Sequence, residues 1–223
     1  MFESITRKFQ FKFKDRVSAA NILAASIMDN LNNNKKDKED DIIVLGIPRG
    51  GVITADIVAR KLSAKYFDIV IPRKLTDIDN KEQSIGAIME DGTTYLDQEL
   101  IEELSIPADY IEKEKAYQIQ EIKRRTSLYR REGLEYKISG KVAILVDDGA
   151  ASGATIIAAA RWLKKKNQNP KRLIIAIPIA PKDTVQRLKS ECNAEVEVVT
   201  SPSSMFRSVS QYYQSFELSL MIK

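Results

Sequence analysis

Short apolar runs that end in proline, glycine or charged residues recur along this chain. They show little alternation between apolar and polar positions, which is typical of strands buried on both faces of a parallel sheet. The runs are Ile42–Ile47, Phe67–Ile71, Lys141–Val146, Arg172–Ile177 and Val196–Thr200. Because buried parallel strands need covering layers, we expect helices on both faces of the sheet that they form.

The segments between these runs mostly carry the 3.6-residue spacing of amphipathic helices. They are Asp15–Leu31, Val52–Leu62, Ala108–Arg131, Ile156–Lys166 and Pro181–Cys192, with a shorter helix over Gln98–Leu104. Between the second and third runs, Asp91-Gly92 separates the β-type segments Ile85–Ile88 and Thr93–Leu96, which predicts a hairpin. The polar stretch Leu75–Ser84 predicts an irregular loop. The fold class is therefore α/β, with a parallel sheet in a single domain.

The composition excludes several kinds of chemistry. The 223 residues include no histidine and one cysteine, Cys192, so neither an imidazole-based catalytic pair nor a His/Cys zinc site can be assembled. Any acid, base or metal-binding group must come from carboxylates, lysine, tyrosine, hydroxyls or the backbone. The formal net charge of +4 permits an anionic partner. Charges of both signs are interspersed along the chain, so nucleic acid is not favoured.

Neither a leader nor a membrane span is predicted. Residues Met1–Lys14 mix phenylalanine with lysine and lack the apolar core of a signal peptide. The apolar runs are far shorter than the ~20 residues needed to cross a bilayer. We therefore expect a cytoplasmic protein with no membrane partner.

The segment Asp147–Thr155 carries the strongest indication of function. It places two adjacent carboxylates at a strand end, where ligands bind in open parallel sheets. Small residues follow and open into a helix: Gly149, Ala150, Ala151, Ser152, Gly153, Ala154 and Thr155. Small residues let backbone N–H groups approach a phosphate, and a helix N-terminus favours its negative charge. The carboxylates suit vicinal hydroxyls or a hard cation such as Mg²⁺. A ribose phosphate carries both matching groups, because its hydroxyls suit the carboxylates and its phosphate suits the small-residue loop.

A structural explanation of this loop also stays open. In it, Asp148 only caps a helix and the small residues allow close packing. Neither a G-x-x-x-x-G-K-[ST] phosphate loop nor a G-x-G-x-x-G dinucleotide fingerprint is present in the sequence.

Two other predicted strand ends carry cations. Pro48-Arg49-Gly50-Gly51 could bind an anion through the arginine and exposed backbone N–H groups, or could be an ordinary turn. Arg73 and Lys74 could meet a second anion, or could be solvated surface charges. The second half of the helix Ala108–Arg131 is also basic, and we interpret it as a solvated face or an oligomer contact; its cations include Lys123, Arg124, Arg125, Arg130 and Arg131.

The segment Ile144–Thr155 resembles the phosphoribosyl-pyrophosphate signature of type I phosphoribosyltransferases. In that signature a hydrophobic strand, two acidic residues and a small-residue stretch lead into Thr/Ser-Gly-x-Thr, and Ser152 stands here where threonine is commoner. Most of the chain resembles one bacterial and archaeal branch of that family. The similar segments are Phe13–Arg16, Gly46–Gly51, Arg73–Leu75, Ile85–Ala87, Glu90–Gly92 and Gln211–Phe216.

The resemblance implies a role for each matching segment. Asp147 and Asp148 would hold the ribose hydroxyls, while Gly149 and the stretch Ala151, Ser152, Gly153, Ala154 and Thr155 would bind the 5′-phosphate side of the substrate. The pyrophosphate loop would contain Arg49, Gly50 and Gly51. Arg73 and Lys74 would lead into a mobile loop over residues 75–95. Residues 1–40 and 201–223 would form a hood, over a core of residues 42–200, that recognises the acceptor.

The implied activity is transfer of the 5-phosphoribosyl group from phosphoribosyl pyrophosphate to a nitrogen acceptor, a nucleobase or amine. The expected catalytic residues are Asp147 and Asp148, near the positive charge that develops on the sugar, and Arg49 and Lys74, near the leaving pyrophosphate. Mg²⁺ is the expected cofactor, held mostly through ligand and water with Asp147 and Asp148 as possible protein ligands. A homodimer is expected from the resemblance. A sensor of phosphoribosyl pyrophosphate or nucleotide without turnover, and an enzyme acting on another ribose phosphate, stay open as alternatives.

Overall fold

The structure is a computed structural model that describes residues 12–33, 42–129, 138–165, 169–202 and 206–216. Its helices are α1 (Arg16–Asn33), α2 (Gly50–Lys61), α3 (Gln98–Glu103), α4 (Ala108–Tyr129), α5 (Ala154–Leu163) and α6 (Lys182–Cys192). Its strands are β1 (Ile42–Gly46), β2 (Tyr66–Ile69), β3 (Arg73–Thr76), β4 (Ser84–Ile88), β5 (Thr94–Leu96), β6 (Val142–Val146), β7 (Arg172–Ile179) and β8 (Glu195–Thr200). A 3₁₀ helix spans Val209–Tyr212.

The predicted parallel sheet is confirmed. It has five strands in the order β2-β1-β6-β7-β8, and every neighbouring pair is parallel. From the central pair β1 and β6, the chain builds outward to β2 on one side and to β7 and β8 on the other. The direction of winding therefore reverses between β1 and β6, which is where open α/β sheets bind ligands.

Successive residues of the central strands enter different cores, as expected for strands covered on both faces. Ile42 and Val44 of β1 pack with α1 and α2, whereas Ile43 and Leu45 pack with α5 and α6. All five residues of β1 and of β6 are buried. This double burial fixes the two strands, and hence fixes the loops that leave them.

A second sheet, β3-β4-β5, is antiparallel. It contains the predicted hairpin, in which β4 pairs with β5. It also corrects one expectation, because Leu75 and Thr76 belong to a strand rather than to an irregular loop. Leu75 is buried against the helices α3 and α4, and its backbone pairs with β4. A single apolar residue among polar neighbours did not reveal that pairing in the sequence.

The two terminal segments of the described chain lie side by side. Phe13 forms a parallel bridge with Tyr213, and its backbone N–H donates to the carbonyl of Tyr212 over 2.8 Å. Phe13, Ala19, Tyr212 and Tyr213 share a small apolar cluster with Ile179 of β7. Residues 1–11, 34–40, 203–205 and 217–223 of the predicted hood lie outside the described residues, as do Arg130, Arg131 and Lys166.

Among the described residues, no helix combines the length and apolar character needed to cross a membrane.

Candidate functional site

The site forms where the loops after β1 and β6 meet. Gly46 and Val146 are partners in the register of the two strands, and the N–H of Ile47 donates to the carbonyl of Val146 over 2.9 Å. The chain then turns into Pro48–Gly51 on one side and into Asp147–Gly149 on the other. The Pro48–Arg49 peptide bond is cis.

Two glycines allow these loops to touch. A Cβ atom on Gly50 would lie 1.8 Å from Oδ2 of Asp148, and one on Gly51 would lie 2.6 Å from Oδ1 of Asp147. No side chain can occupy either position without displacing a carboxylate or the backbone. The sequence-predicted residues Gly50, Gly51, Asp147 and Asp148 therefore come together in one place.

The surroundings of the Asp147 carboxylate disfavour its charged form. Burial raises its pKa well above the usual value, and the neighbouring negative charge of Asp148 raises that pKa further. The positive charge of Lys74 on β3 opposes both effects, which places that lysine within electrostatic reach of the pair. Oδ1 of Asp147 accepts the backbone N–H of Asp148 over 2.8 Å.

Asp148 is held by residues from both terminal segments. Nε of Arg16 donates to Oδ2 of Asp148 over 2.7 Å, and the hydroxyl of Tyr213 donates to the Asp148 carbonyl over 2.6 Å. Burial raises the pKa of Tyr213, with a further contribution from Asp148, so this hydroxyl stays a donor. Sequence reasoning missed Arg16, although the residue lies in a segment that carries the family resemblance.

The small-residue loop leads directly into α5. Gly153 has the left-handed φ of 78° and precedes the first helical residue, Ala154. Oγ of Ser152 accepts the N–H of Ala154 over 3.4 Å. From α6, the buried hydroxyl of Thr184 donates to the carbonyl of Ala151. The hydrogen bond from α6 thus holds the loop, while Ala151, Ser152 and Thr155 keep some exposed surface.

The three cationic residues predicted at the strand ends, Arg49, Arg73 and Lys74, lie in different surroundings. Arg49 is exposed at the start of α2, beside Gly50. Lys74 is exposed on β3, whereas Arg73, the preceding residue of that strand, donates from Nε to Oε1 of Gln118 on α4 over 2.8 Å. Neighbouring residues of a strand point to opposite faces, so Lys74 lies on the face of β3 opposite to Arg73 and α4.

The carboxylates offer a limited set of metal ligands. Among the described residues, no group of three or more His, Cys, Asp or Glu side chains is placed to hold a metal ion. Within the described ranges, hydrogen bonds engage Oδ1 of Asp147 and Oδ2 of Asp148, and the second oxygen of each carboxylate accepts none of these bonds. This donor set fits Mg²⁺ that arrives with substrate phosphates and keeps several waters, rather than an all-protein cage.

The parallel sheet and the glycine- and carboxylate-lined junction of β1 and β6 define an α/β protein with a strand-end site. A family model described as a phosphoribosyl transferase domain matches residues 15–213. The chain belongs to that family, which confirms the resemblance carried by Ile144–Thr155.

Two relatives illustrate the similarity. A protein of Mycobacterium tuberculosis, provisionally named a phosphoribosyl transferase and found in two strains, is 34% identical over 175 residues. The match covers 78% of this chain and 38% of that relative, so the chain spans well under half the relative's length. The solved structure of the protein TT1426 from Thermus thermophilus is 33% identical, with a TM-score of 0.71, and the match covers 93% of this chain and 92% of that one.

Proposed function

We propose that this protein transfers the 5-phosphoribosyl group of phosphoribosyl pyrophosphate to a nitrogen acceptor, a nucleobase or an amine, and releases pyrophosphate. The observation that carries the proposal is the contact between Gly50-Gly51 and the Asp147-Asp148 pair beside the N-terminus of α5. Family membership over residues 15–213 supports it.

Phosphoribosyl pyrophosphate, the donor, would contact three parts of this site. The 5′-phosphate would bind the loop from Gly149 to Thr155, where α5 begins without a side-chain cap from Gly153 and its backbone dipoles favour an anion. The ribose hydroxyls would bind the free oxygens of Asp147 and Asp148. The pyrophosphate would lie on the loop Pro48–Gly51, next to the exposed Arg49.

In the reaction, the bond from the anomeric carbon to pyrophosphate breaks as the acceptor nitrogen attacks from the opposite face, and the proton that an N–H acceptor loses passes to solvent. Positive charge develops on the sugar near Asp147 and Asp148, whose carboxylates stabilise it. Negative charge develops on the leaving group, and Arg49 and Lys74 would stabilise that charge. Mg²⁺ would be held mostly by the oxygens of the donor and by water, beside Asp147 and Asp148, and would neutralise the charge of pyrophosphate.

The remaining parts of the proposal rest on the family resemblance. The hood of residues 1–40 and 201–223 would recognise the acceptor, and the mobile loop over residues 75–95, within the core of residues 42–200, would cover the site during the reaction. A homodimer and a cytoplasmic location belong to the same proposal. Size-exclusion chromatography with light scattering tests the dimer, because a monomer at micromolar concentration contradicts it.

The experiment that tests the activity is a pyrophosphate-release assay with phosphoribosyl pyrophosphate, Mg²⁺ and a panel of nucleobases and amines. We expect release that depends on one class of acceptor and is absent in the double variant Asp147→Asn/Asp148→Asn. Donor binding without release from any acceptor would favour a sensor and overturn the transferase proposal.

A further inference from the structure

Arg16 is a buried cation at the edge of the proposed donor site. Its side chain is 7% exposed and that of its partner Asp148 is 14% exposed. Besides the 2.7 Å bond from Nε to Asp148, its Nη1 donates to the carbonyl of Phe216 over 2.8 Å. The guanidinium also lies 3.7 Å from the centre of the Phe216 ring. One side chain therefore joins α1, the β6 loop and the C-terminal segment.

The start of α1 is itself fixed. The N–H of Ser18 donates to Oδ1 of Asp15 over 2.7 Å, and the N–H of Asp15 donates to Oγ of Ser18 over 3.0 Å. Such reciprocal bonds hold the first turn of a helix. Arg16 is the first residue of α1, so this capping arrangement holds the backbone that carries the guanidinium.

Stability alone does not explain the buried ion pair between Arg16 and Asp148. Removing two charges from water is costly, and a well-packed apolar pair of similar volume is often as stable. Here the pair has a specific consequence, because Asp148 adjoins Asp147 and the two carboxylates repel each other. The guanidinium compensates one of these charges and binds one oxygen of Asp148, so the rotation of that carboxylate is restricted.

We propose that Arg16 is a positioning residue for the donor's ribose. It holds Asp148 in one orientation and compensates its charge, so that the second carboxylate oxygen is presented to a ribose hydroxyl. Through Phe216 the orientation depends on the C-terminal segment, which ties donor binding to the part of the chain proposed to recognise the acceptor. This inference rests on the proposed function of the site.

The test compares Arg16→Met and Arg16→Lys with Arg60→Met. Arg60 is a matched control, since its Nε also binds an aspartate, Asp56, but on an exposed helix surface. Isothermal titration with phosphoribosyl pyrophosphate and Mg²⁺ should show a loss on the order of 10- to 100-fold for Arg16→Met, the range for a lost hydrogen bond to a charged group. Arg16→Lys should lose less, and Arg60→Met should equal the wild type.

Two further measurements separate positioning from a merely structural role. If Arg16 acts through Asp148, then Arg16→Met added to Asp148→Asn should cause no further loss of donor affinity. Affinity for Mg²⁺ and inorganic pyrophosphate, which has no ribose, should fall less in Arg16→Met than affinity for the donor does. Equal losses for pyrophosphate and for the donor, or additive losses in the double variant, would overturn the proposal.

The outcomes also separate this inference from the function on which it rests. If the wild type binds the donor and Arg16→Met and Arg16→Lys bind it equally well, the positioning role is wrong and the proposed function stands. If the wild type binds no donor, both are wrong. Should Arg16→Met fail to fold, Arg16→Lys with and without Asp148→Asn supplies the same comparison.

Discussion

Gly50 packs so closely against Asp148 that a Cβ atom on the glycine would lie 1.8 Å from the carboxylate Oδ2. The two residues leave different strands, β1 and β6, and meet because those strands are neighbours in register. The pyrophosphate loop and the ribose carboxylates of the proposed site are therefore parts of one packed unit, and a change in either should affect the other.

Gly50→Ala should weaken donor binding by about tenfold or more and should also lower stability by about 1–3 kcal/mol. Its Cβ would lie 1.8 Å from Oδ2 of Asp148 and 2.8 Å from Nε of Arg16, so the buried ion pair between these residues must shift and Asp148 leaves its position. Gly51→Ala is the matched comparison, because its Cβ would meet the backbone Cα of Asp147 at 2.8 Å and the carbonyl of Val146 at 3.1 Å. That clash with backbone should cost about 1–3 kcal/mol.

Thermal melting and donor titration of both variants test these expectations. Both variants should melt several degrees below the wild type, and Gly50→Ala should bind the donor poorly at temperatures at which it stays folded. Wild-type affinity in Gly50→Ala would show that the contact does not position the carboxylate.

Asp147→Asn should stabilise the protein increasingly as the pH rises. The folded state raises the pKa of Asp147 above its ordinary value of 3.8, so the folded protein holds this proton more tightly than the unfolded chain does. The resulting stability is fully present below the unfolded pKa and is lost as the pH rises through the folded pKa. Asparagine has no such proton, and its carbonyl can still accept the N–H of Asp148.

The measurement is the difference in melting temperature between Asp147→Asn and the wild type from pH 4 to pH 8. We expect the difference to grow with pH in favour of the variant. Asp109→Asn serves as the control, because that exposed carboxylate has a pKa lowered by its hydrogen bond to Lys113 and should show no such gain. A difference for Asp147→Asn that stays constant with pH would contradict the assignment.

Thr184→Val should weaken both the fold and phosphate binding. The hydroxyl of Thr184 donates to the Ala151 carbonyl in the proposed phosphate loop, and its removal leaves a carbonyl without that partner at a cost of about 1–3 kcal/mol. Thr54→Val is the matched control, since the Thr54 hydroxyl is buried in α2 and makes no hydrogen bond with the described residues. It should be neutral or stabilising.

Urea unfolding and titration with ribose 5-phosphate distinguish these threonines. Thr184→Val should lose stability and bind ribose 5-phosphate several-fold more weakly, and Thr54→Val should do neither. Equal stability losses in the two variants would mean that the hydrogen bond of the Thr184 hydroxyl does not stabilise the protein.

Cys192 should react with thiol reagents only when the protein opens. Burial raises the pKa of its thiol to about 12, so on the order of one thiol in ten thousand is ionised at pH 8. Labelling with a chromogenic disulfide at pH 8 should be slow in the folded protein and complete in denaturant. Rapid labelling without denaturant would contradict the buried position at the end of α6.

The sequence predicted the parts of this molecule that depend on local pattern. The apolar runs identified the parallel strands because their residues are buried on both faces, and the small residues after Asp148 identified the loop before α5. The adjacency of β1 and β6 follows from strand order, which the pattern does not specify. By pattern alone, Gly50 and Asp148 belong to two separate strand ends, and only the family resemblance assigns both to one donor site.

Other features depend on contacts between distant parts of the chain. Arg16 reaches Asp148 across 132 positions of sequence, and no local periodicity marks such a pair. Their adjacency in the sequence predicts a shared role for Arg73 and Lys74, but both belong to the strand β3, where neighbouring side chains point to opposite faces. In that strand Arg73 turns to Gln118 on α4, while the charge of Lys74 acts on Asp147.

The most direct test of the central claim is isothermal titration of the protein with phosphoribosyl pyrophosphate in the presence of Mg²⁺. We expect saturable binding to the wild type, and a loss of at least about 100-fold in Asp147→Asn/Asp148→Asn, which removes two charged acceptors of ribose hydroxyls. Asp109→Asn, an exposed control, should bind as the wild type does. Absence of binding at millimolar donor, or equal binding to the double variant, would contradict a donor site at Asp147 and Asp148.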